Sequence, residues 1–140
     1  MPNYWLFKSE PDTWSWEQQK AKGKAGEEWT GVRNYQARNF MRAMKVGEKG
    51  FFYHSNEGRE VVGIVEVCAL AHRDSTADVD TWECVNIRAV ADVPRHVTLD
   101  EIKADPKLKD MVLVNNSRLS VQPVSESEFR HICKLGGAKI

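Results

Sequence analysis

With 140 residues and 20 Lys plus Arg against 20 Asp plus Glu, the chain fits a single domain and carries no net charge with which to coat a polyanion. A protein that reads one base in a pocket remains compatible with that balance, because it needs few phosphate contacts. No apolar run nears the ~18 to 20 residues that span a bilayer, and the start lacks the basic-then-apolar pattern of a secretory signal, so a soluble cytoplasmic protein without a membrane partner is expected.

Residues 4 to 9 are rich in aromatics and apolar on both faces, which predicts a central strand ended by Pro11. Asp12, Thr13 and Ser15 offer helix N-caps, and Trp14 to about Lys22 reads as a short helix closing near Gly23. A glycine- and charge-rich connection from Gly23 to Glu28 follows. Tyr35, Ala37, Phe40, Met41 and Met44 fall near the i, i+3, i+4 spacing of an amphipathic helix, with Asn34 placed to cap it. Three strands are expected at 50–55, 60–69 and 82–91, the first two joined by a turn over 56–59 containing Asn56 and Gly58.

Thr98 with Glu101 and Ser125 with Glu128 have the spacing of capping boxes, each opening a helix. Pro106 limits the first, and Gly136-Gly137 ends the second. Val112 to Val121 reads as a further strand interrupted by the polar Asn115 to Arg118. Five or six strands with helices inserted early and late predict an α+β fold around a small, strongly curved sheet. Cys68, Cys84 and Cys133 are widely spaced without a C-x-x-C pair, so neither a disulfide framework nor a metal site is expected. No cofactor-binding fingerprint is present either.

Four segments share one design, an aromatic or apolar run that ends in a knot of hydrogen-bonding side chains. They are Tyr4-Trp5-Leu6-Phe7-Lys8-Ser9-Glu10-Pro11, Trp29-Thr30-Gly31-Val32-Arg33-Asn34-Tyr35, Phe51-Phe52-Tyr53-His54-Ser55-Asn56 and Asn116-Ser117-Arg118-Leu119-Ser120-Val121-Gln122-Pro123. Gathered in one fold, they would form an apolar cleft with a few fixed donors and acceptors at its mouth, the composition of a small-ligand pocket.

Together these segments, with Val62-Gly63-Ile64-Val65-Glu66-Val67 and the run Gln36-Ala37-Arg38, resemble the EVE domain family of the PUA-like superfamily nearly end to end. The resemblance implies a small β-barrel flanked by helices, as in stand-alone bacterial members. It also implies non-catalytic binding of a modified base, with 5-substituted cytosine in DNA the leading candidate and RNA an alternative. A weaker likeness reaches the YTH domains, readers of N6-methyladenine, through Lys8-Ser9, Trp29, the hairpin from Tyr53 to Val67 and Asn116-Ser117-Arg118. A family name fixes a fold better than a ligand.

A pyrimidine taken into such a pocket needs a plate for its face and partners for its Watson–Crick edge. Trp29 is the candidate plate, although a tryptophan sealing the barrel end would look the same in sequence. Trp5, Trp14, Trp16 and Trp82 read as core or helix-packing residues. Glu10 can accept from an exocyclic amine and Ser9 can donate or accept, while Glu10 could equally cap a helix or pair with an arginine such as Arg118. Asn34 can contact a base edge or cap a helix. His54 and the Ser55 backbone are candidate wall groups, and Ser117, Arg118, Leu119 and Ser120 a final wall. Lys8, Arg33 and Arg38 are candidate phosphate ligands or ordinary surface charges. A small-molecule or amidohydrolase-like enzyme using Ser9, Glu10, Lys8 and His54 is the rival reading, and a purely structural hydrogen-bond network is a third. The oligomeric state does not follow from the sequence, and a monomer is the default expectation.

Overall fold

A computed structural model describes residues 3–56, 58–116 and 118–138, leaving Glu57 and Ser117 outside the description. Six strands form one mixed sheet: β1 (Tyr4–Ser9), β2 (Glu27–Glu28), β3 (Lys49–His54), β4 (Glu60–Arg73), β5 (Glu83–Thr98) and β6 (Val121–Val124), in the order β2-β5-β4-β3-β1-β6. The class is α+β, with the expected strand number. The sheet is open, since β2 and β6 sit at its two edges and do not pair with each other.

The apolar character of β1 on both sides has a direct cause. It lies between parallel β3 and antiparallel β6, and both faces of the sheet are covered. Trp5 and Phe7 point into one core with Phe52, Val62 and Val65. Leu6 points into the other with Phe51, Tyr53 and Ile64, as the two-residue period of a strand requires. The first core is roofed by α1 (Trp16–Ala21) and α2 (Tyr35–Ala43), and the second by α3 (Leu99–Ala104), α4 (Val112–Asn115) and α5 (Glu126–Gly136).

Strands β4 and β5 form a hairpin of 14 and 16 residues whose register shifts at four places between Val61 and His72. Each irregularity adds local twist, so this arm coils rather than lying flat. Gly63 sits in the arm because the Trp16 indole lies against its α-carbon; a β-carbon there would stand 2.2 Å from Trp16 Cζ2.

The helix ends follow their caps. Ser15, Thr98 and Ser125 each complete a capping box with Gln18, Glu101 and Glu128 respectively, and the Asn34 side chain accepts from Ala37 N. Two expectations need correction. The predicted strand from Val112 to Val121 is a single helical turn, α4, followed by a turn and only then by β6. A short apolar Val-Leu-Val run does not distinguish strand from helix, and here Leu113 gains burial in the second core as part of a helix. The connection from Gly23 to Glu28 holds a 3₁₀ turn at Gly23–Ala25 and the edge strand β2 paired with Ile87 and Asn86.

Candidate functional site

An open cleft of about 660 Å³ lies where the end of β1, the segment after β2 and the tip of the β4–β5 hairpin converge. Lys8, Ser9 and Glu10 enter it from the end of β1, and Thr13 and Trp14 from the loop leading to α1. Glu27 through Arg33 form the facing wall, with Ser75, Thr76 and Ser120 completing the rim. Of the residues expected from sequence, Lys8, Ser9, Glu10, Trp29, Arg33 and Ser120 are brought together here.

Local hydrogen bonds fix this geometry. The Ser9 hydroxyl donates to the Trp14 carbonyl at 2.5 Å, folding residues 10–14 back over the end of β1. Thr13 N and Trp14 N both donate to the Glu10 carbonyl oxygen at 2.9 Å. The Glu10 side chain is exposed at the rim, and among the described residues its carboxylate has no hydrogen-bonding or ionic partner. It therefore neither caps α1 nor pairs with Arg118. Trp29 is 8% exposed. Phe7 and Phe52 meet it edge-on, with ring centroids 5.4 and 5.6 Å away, which fixes the plane of the indole. Trp29 thus seals the end of the first core and lines the cleft, so the two readings of it are compatible.

Two carboxylates fasten the Trp29 wall to the hairpin tip. Asp74, 1% exposed, accepts from Gly31 N (2.8 Å) and Arg33 Nη1 (3.1 Å) on one oxygen, and from Thr76 N (2.8 Å) and Thr76 Oγ1 (2.6 Å) on the other. Burial opposes its charge, but the bonds from Thr76, Gly31 and Arg33 outweigh that and hold the carboxyl below its ordinary range. Glu28 accepts from the Ser75 hydroxyl at 2.7 Å. Gly31, at φ +84°, has a backbone conformation that suits glycine. Lys8, half-buried on the opposite side, has its pKa lowered by burial.

The other expected residues lie elsewhere. Asn34 caps α2, and its side-chain oxygen is 2.9 Å from Ala37 N. His54 Nε2 accepts from Trp16 N at 3.1 Å, which requires the unprotonated nitrogen; burial lowers its pKa accordingly. The Ser55 amide donates to the Ser9 carbonyl at 2.9 Å. Leu119 is buried in the first core. Arg118 is exposed outside the cleft lining, Arg38 sits against Tyr35, and Ser117 lies outside the described residues. Asn34, His54 and the Ser55 amide thus satisfy backbone groups around the cleft rather than line it. Ser9 and His54 do not engage each other, because the hydroxyl is turned to Trp14 and the imidazole to Trp16.

Trp14, Thr13, Glu27, Glu28, Ser75 and Thr76 were not anticipated. Asp74-Ser75-Thr76 has the composition of a side-chain-stabilised turn, which signals a loop but not its destination. Glu28, His72 and Cys84 also converge, with ligand-type atoms within 4.8 Å of one another. Their surroundings are those of a hydrogen-bond cluster: His72 Nε2 is 2.7 Å from Asn86 Oδ1. Burial pushes the Cys84 thiol up to about 12, with the nearby Asp74 and Glu28 carboxylates adding to the shift.

Residues 3–135 match the family described as the EVE domain. The chain belongs to the EVE domain family. This EVE domain is 35% identical to thymocyte nuclear protein 1 of Homo sapiens over 167 residues, covering 96% of the chain and 74% of that protein. It superposes on protein Atu2648 of Agrobacterium tumefaciens with a TM-score of 0.94 and 67% identity, covering 97% and 94% of the two chains. With human THYN1, solved in complex with DNA containing 5-methylcytosine, the TM-score is 0.88 at 35% identity, and 99% of each chain is covered. The YTH domain of Zygosaccharomyces rouxii MRB1, solved with N6-methyladenosine RNA, shares the fold at a TM-score of 0.58 and 21% identity, covering 96% and 86% of the chains. No helix among the described residues is long and apolar enough to cross a membrane.

Proposed function

We propose that this EVE domain binds nucleic acid by accepting one modified base, a 5-substituted cytosine in DNA, into the cleft between Trp29 and Glu10. The observation that carries the reading is the joining, in one open cleft, of a fixed indole and a carboxylate without a partner among the described residues. The complex of human THYN1 with 5-methylcytosine DNA supports it, since that protein covers the chain almost completely.

The chemistry suits an aminopyrimidine. The Glu10 carboxylate favours a base edge that donates, as the cytosine 4-amino group does and the thymine O4 does not, whereas Glu27 and Glu28 are already engaged by Lys22 and Ser75. Lys8 and Arg33 line the cleft from its two sides, and the Arg33 guanidinium, bound to Asp74 through Nη1 and partly exposed, can also meet a flanking phosphate. Extracting a base from a duplex costs a few kcal/mol, less from a single strand, so affinity should be highest where the base is already unstacked. A bare methyl group contributes only ~0.8 kcal/mol, about fourfold, so the bulk of recognition must come from the polar edge.

The test is titration with matched oligonucleotides carrying cytosine, 5-methylcytosine or 5-hydroxymethylcytosine, followed by tryptophan fluorescence. Glu10→Gln keeps the size of an exposed side chain and removes its charge; it should weaken binding of the modified strand about tenfold or more. Trp29→Phe is the appropriate plate variant, because alanine would open a cavity costing about 3–5 kcal/mol in a core position. Equal binding of all three strands, or a Glu10→Gln protein that binds like the parent, would overturn the proposal.

A further inference from the structure

Beside the cleft, four side chains form a continuous stack. The Arg33 guanidinium carbon lies 5.7 Å from the Trp82 ring centroid; Trp82 and Tyr35 are 5.0 Å apart with planes inclined by 35°; and Arg38 lies 4.9 Å from the Tyr35 ring. Arg33 is also a lining residue, so the stack begins at the mouth of the cleft and runs outward along the start of α2. Tyr35 is 61% exposed, the most open of the large hydrophobic side chains among the described residues. Tyr35 packs against Trp82 on one side and Arg38 on the other, and the rest of its ring is open to solvent beside the cleft.

The charges on this surface are unequal. Arg33 is matched by Asp74, and Arg42 one turn beyond Arg38 is matched by Glu83. Arg38 donates only to neutral oxygens, the Thr81 carbonyl at 3.0 Å and Asn39 Oδ1 at 2.9 Å, and pairs with no carboxylate among the described residues. Residues 29 to 47 contain Arg33, Arg38, Arg42 and Lys45 and no Asp or Glu. The facing loop that carries Trp82 contributes Asp74, Asp78, Asp80 and Glu83, of which Asp74, Asp80 and Glu83 are taken up by Arg33, Arg73 and Arg42, so Arg38 is the arginine of the stack left without an acidic partner among the described residues. An aromatic surface next to an uncompensated guanidinium suits a nucleotide, whose base has a face to stack and whose phosphate carries the missing negative charge.

The geometry points to a second nucleotide subsite at Tyr35, Trp82 and Arg38, holding the residue adjacent to the base in the cleft. This inference rests on the cleft being a base pocket, and it makes the ligand a polynucleotide strand rather than a free nucleoside. Tyr35 meets the neighbouring base or sugar, Arg38 holds its phosphate, and Arg33 bridges the two subsites.

The decisive comparison pairs a short single strand containing one 5-methylcytosine with free 5-methyldeoxycytidine, using the parent, Tyr35→Ala and Arg38→Gln. Both positions are on the helix surface, so the fold should survive, and circular dichroism checks that. Tyr35→Ala should weaken strand binding about tenfold, in the range of a lost base–aromatic stack. Arg38→Gln should reduce the slope of log affinity against log salt by about 0.7, the value for one single-strand phosphate contact. Nucleoside affinity should stay within twofold of the parent in both. If the parent binds the modified strand and both variants bind it equally well with the same salt slope, the subsite falls while the pocket reading stands. If the parent binds strands without preference for the modified base but Tyr35→Ala still weakens them, the pocket reading falls and the stacking surface stands. A parent that binds no strand overturns both.

Discussion

Replacing Asp74 with Asn tests whether one buried carboxylate holds the cleft together. Each of its oxygens receives two donors, Thr76 N and Oγ1 on one and Gly31 N and Arg33 Nη1 on the other. An asparagine retains a single acceptor oxygen, so whichever way the amide turns, its NH₂ faces a pair of former donors. An unsatisfied donor costs about 1–3 kcal/mol, but the Thr76 hydroxyl can rotate and Arg33 is partly exposed, so about 2–3 kcal/mol in total is reasonable. For a domain of this length that corresponds to a fall of about 10 °C in melting temperature. The pH dependence adds a sharper signature. Because the folded pKa is depressed below the unfolded value of about 3.9, the ionised carboxylate stabilises the fold above that pH, and this contribution is lost as pH falls through the folded value. Urea midpoints for parent and Asp74→Asn should therefore be furthest apart at pH 7 and converge below about pH 4. A gap under 0.5 kcal/mol at pH 7, or one unchanged down to pH 3, would refute this account.

Gly63→Ala should destabilise the protein by about 3 kcal/mol, because the added methyl must displace the Trp16 indole and with it the 2.7 Å bond from Trp16 Nε1 to Asp92. A melting temperature within 2 °C of the parent would show that α1 yields more easily than its packing implies. Asn34→Ala should cost about 1 kcal/mol through loss of the α2 cap, Asn34→Ser should recover most of it, and both should bind the modified strand like the parent. Loss of binding in the serine variant would instead mark Asn34 as a ligand contact.

The elements governed by local chemistry were legible in the residues. The two-faced apolar pattern of β1 identified a central strand, and the Thr98–Glu101 and Ser125–Glu128 spacings marked α3 and α5 at their first turns. What depended on distant contacts was not. Val112 to Val114 has the side chains of a strand, and only the second core makes Leu113 a helical residue. Glu27 and Glu28 have low strand propensity and pair with β5 because the chain passes its edge there. The candidate site divides in the same way. Ser9, Glu10, Trp29 and Ser120 reach the cleft from segments whose aromatic-to-polar pattern was visible. Ser75 and Thr76 reach it only because two long strands carry their loop there, and no local signal encodes that distance. Asn34, His54 and Ser55 drew attention as polar groups at strand or helix ends, which is also where backbone groups need partners.

The β4–β5 hairpin acts as a ruler. Its base is anchored where Val61 and Val97 pair within the second core, and its tip begins beyond the Arg73–Glu83 pair, one residue before Asp74. Removing two residues from each arm would keep every side chain on its own face yet withdraw the tip by roughly 7 Å. That is more than twice the reach of the Asp74–Gly31 hydrogen bond, so the wall bearing Trp29 would lose its fastening, and Cys84 and Val85, which the arm contributes to the first core, would be displaced with the tip while the second core stayed packed. Arm length, a property no single residue carries, thus sets the width of the cleft, and related chains with shorter or longer arms would accommodate ligands of different size.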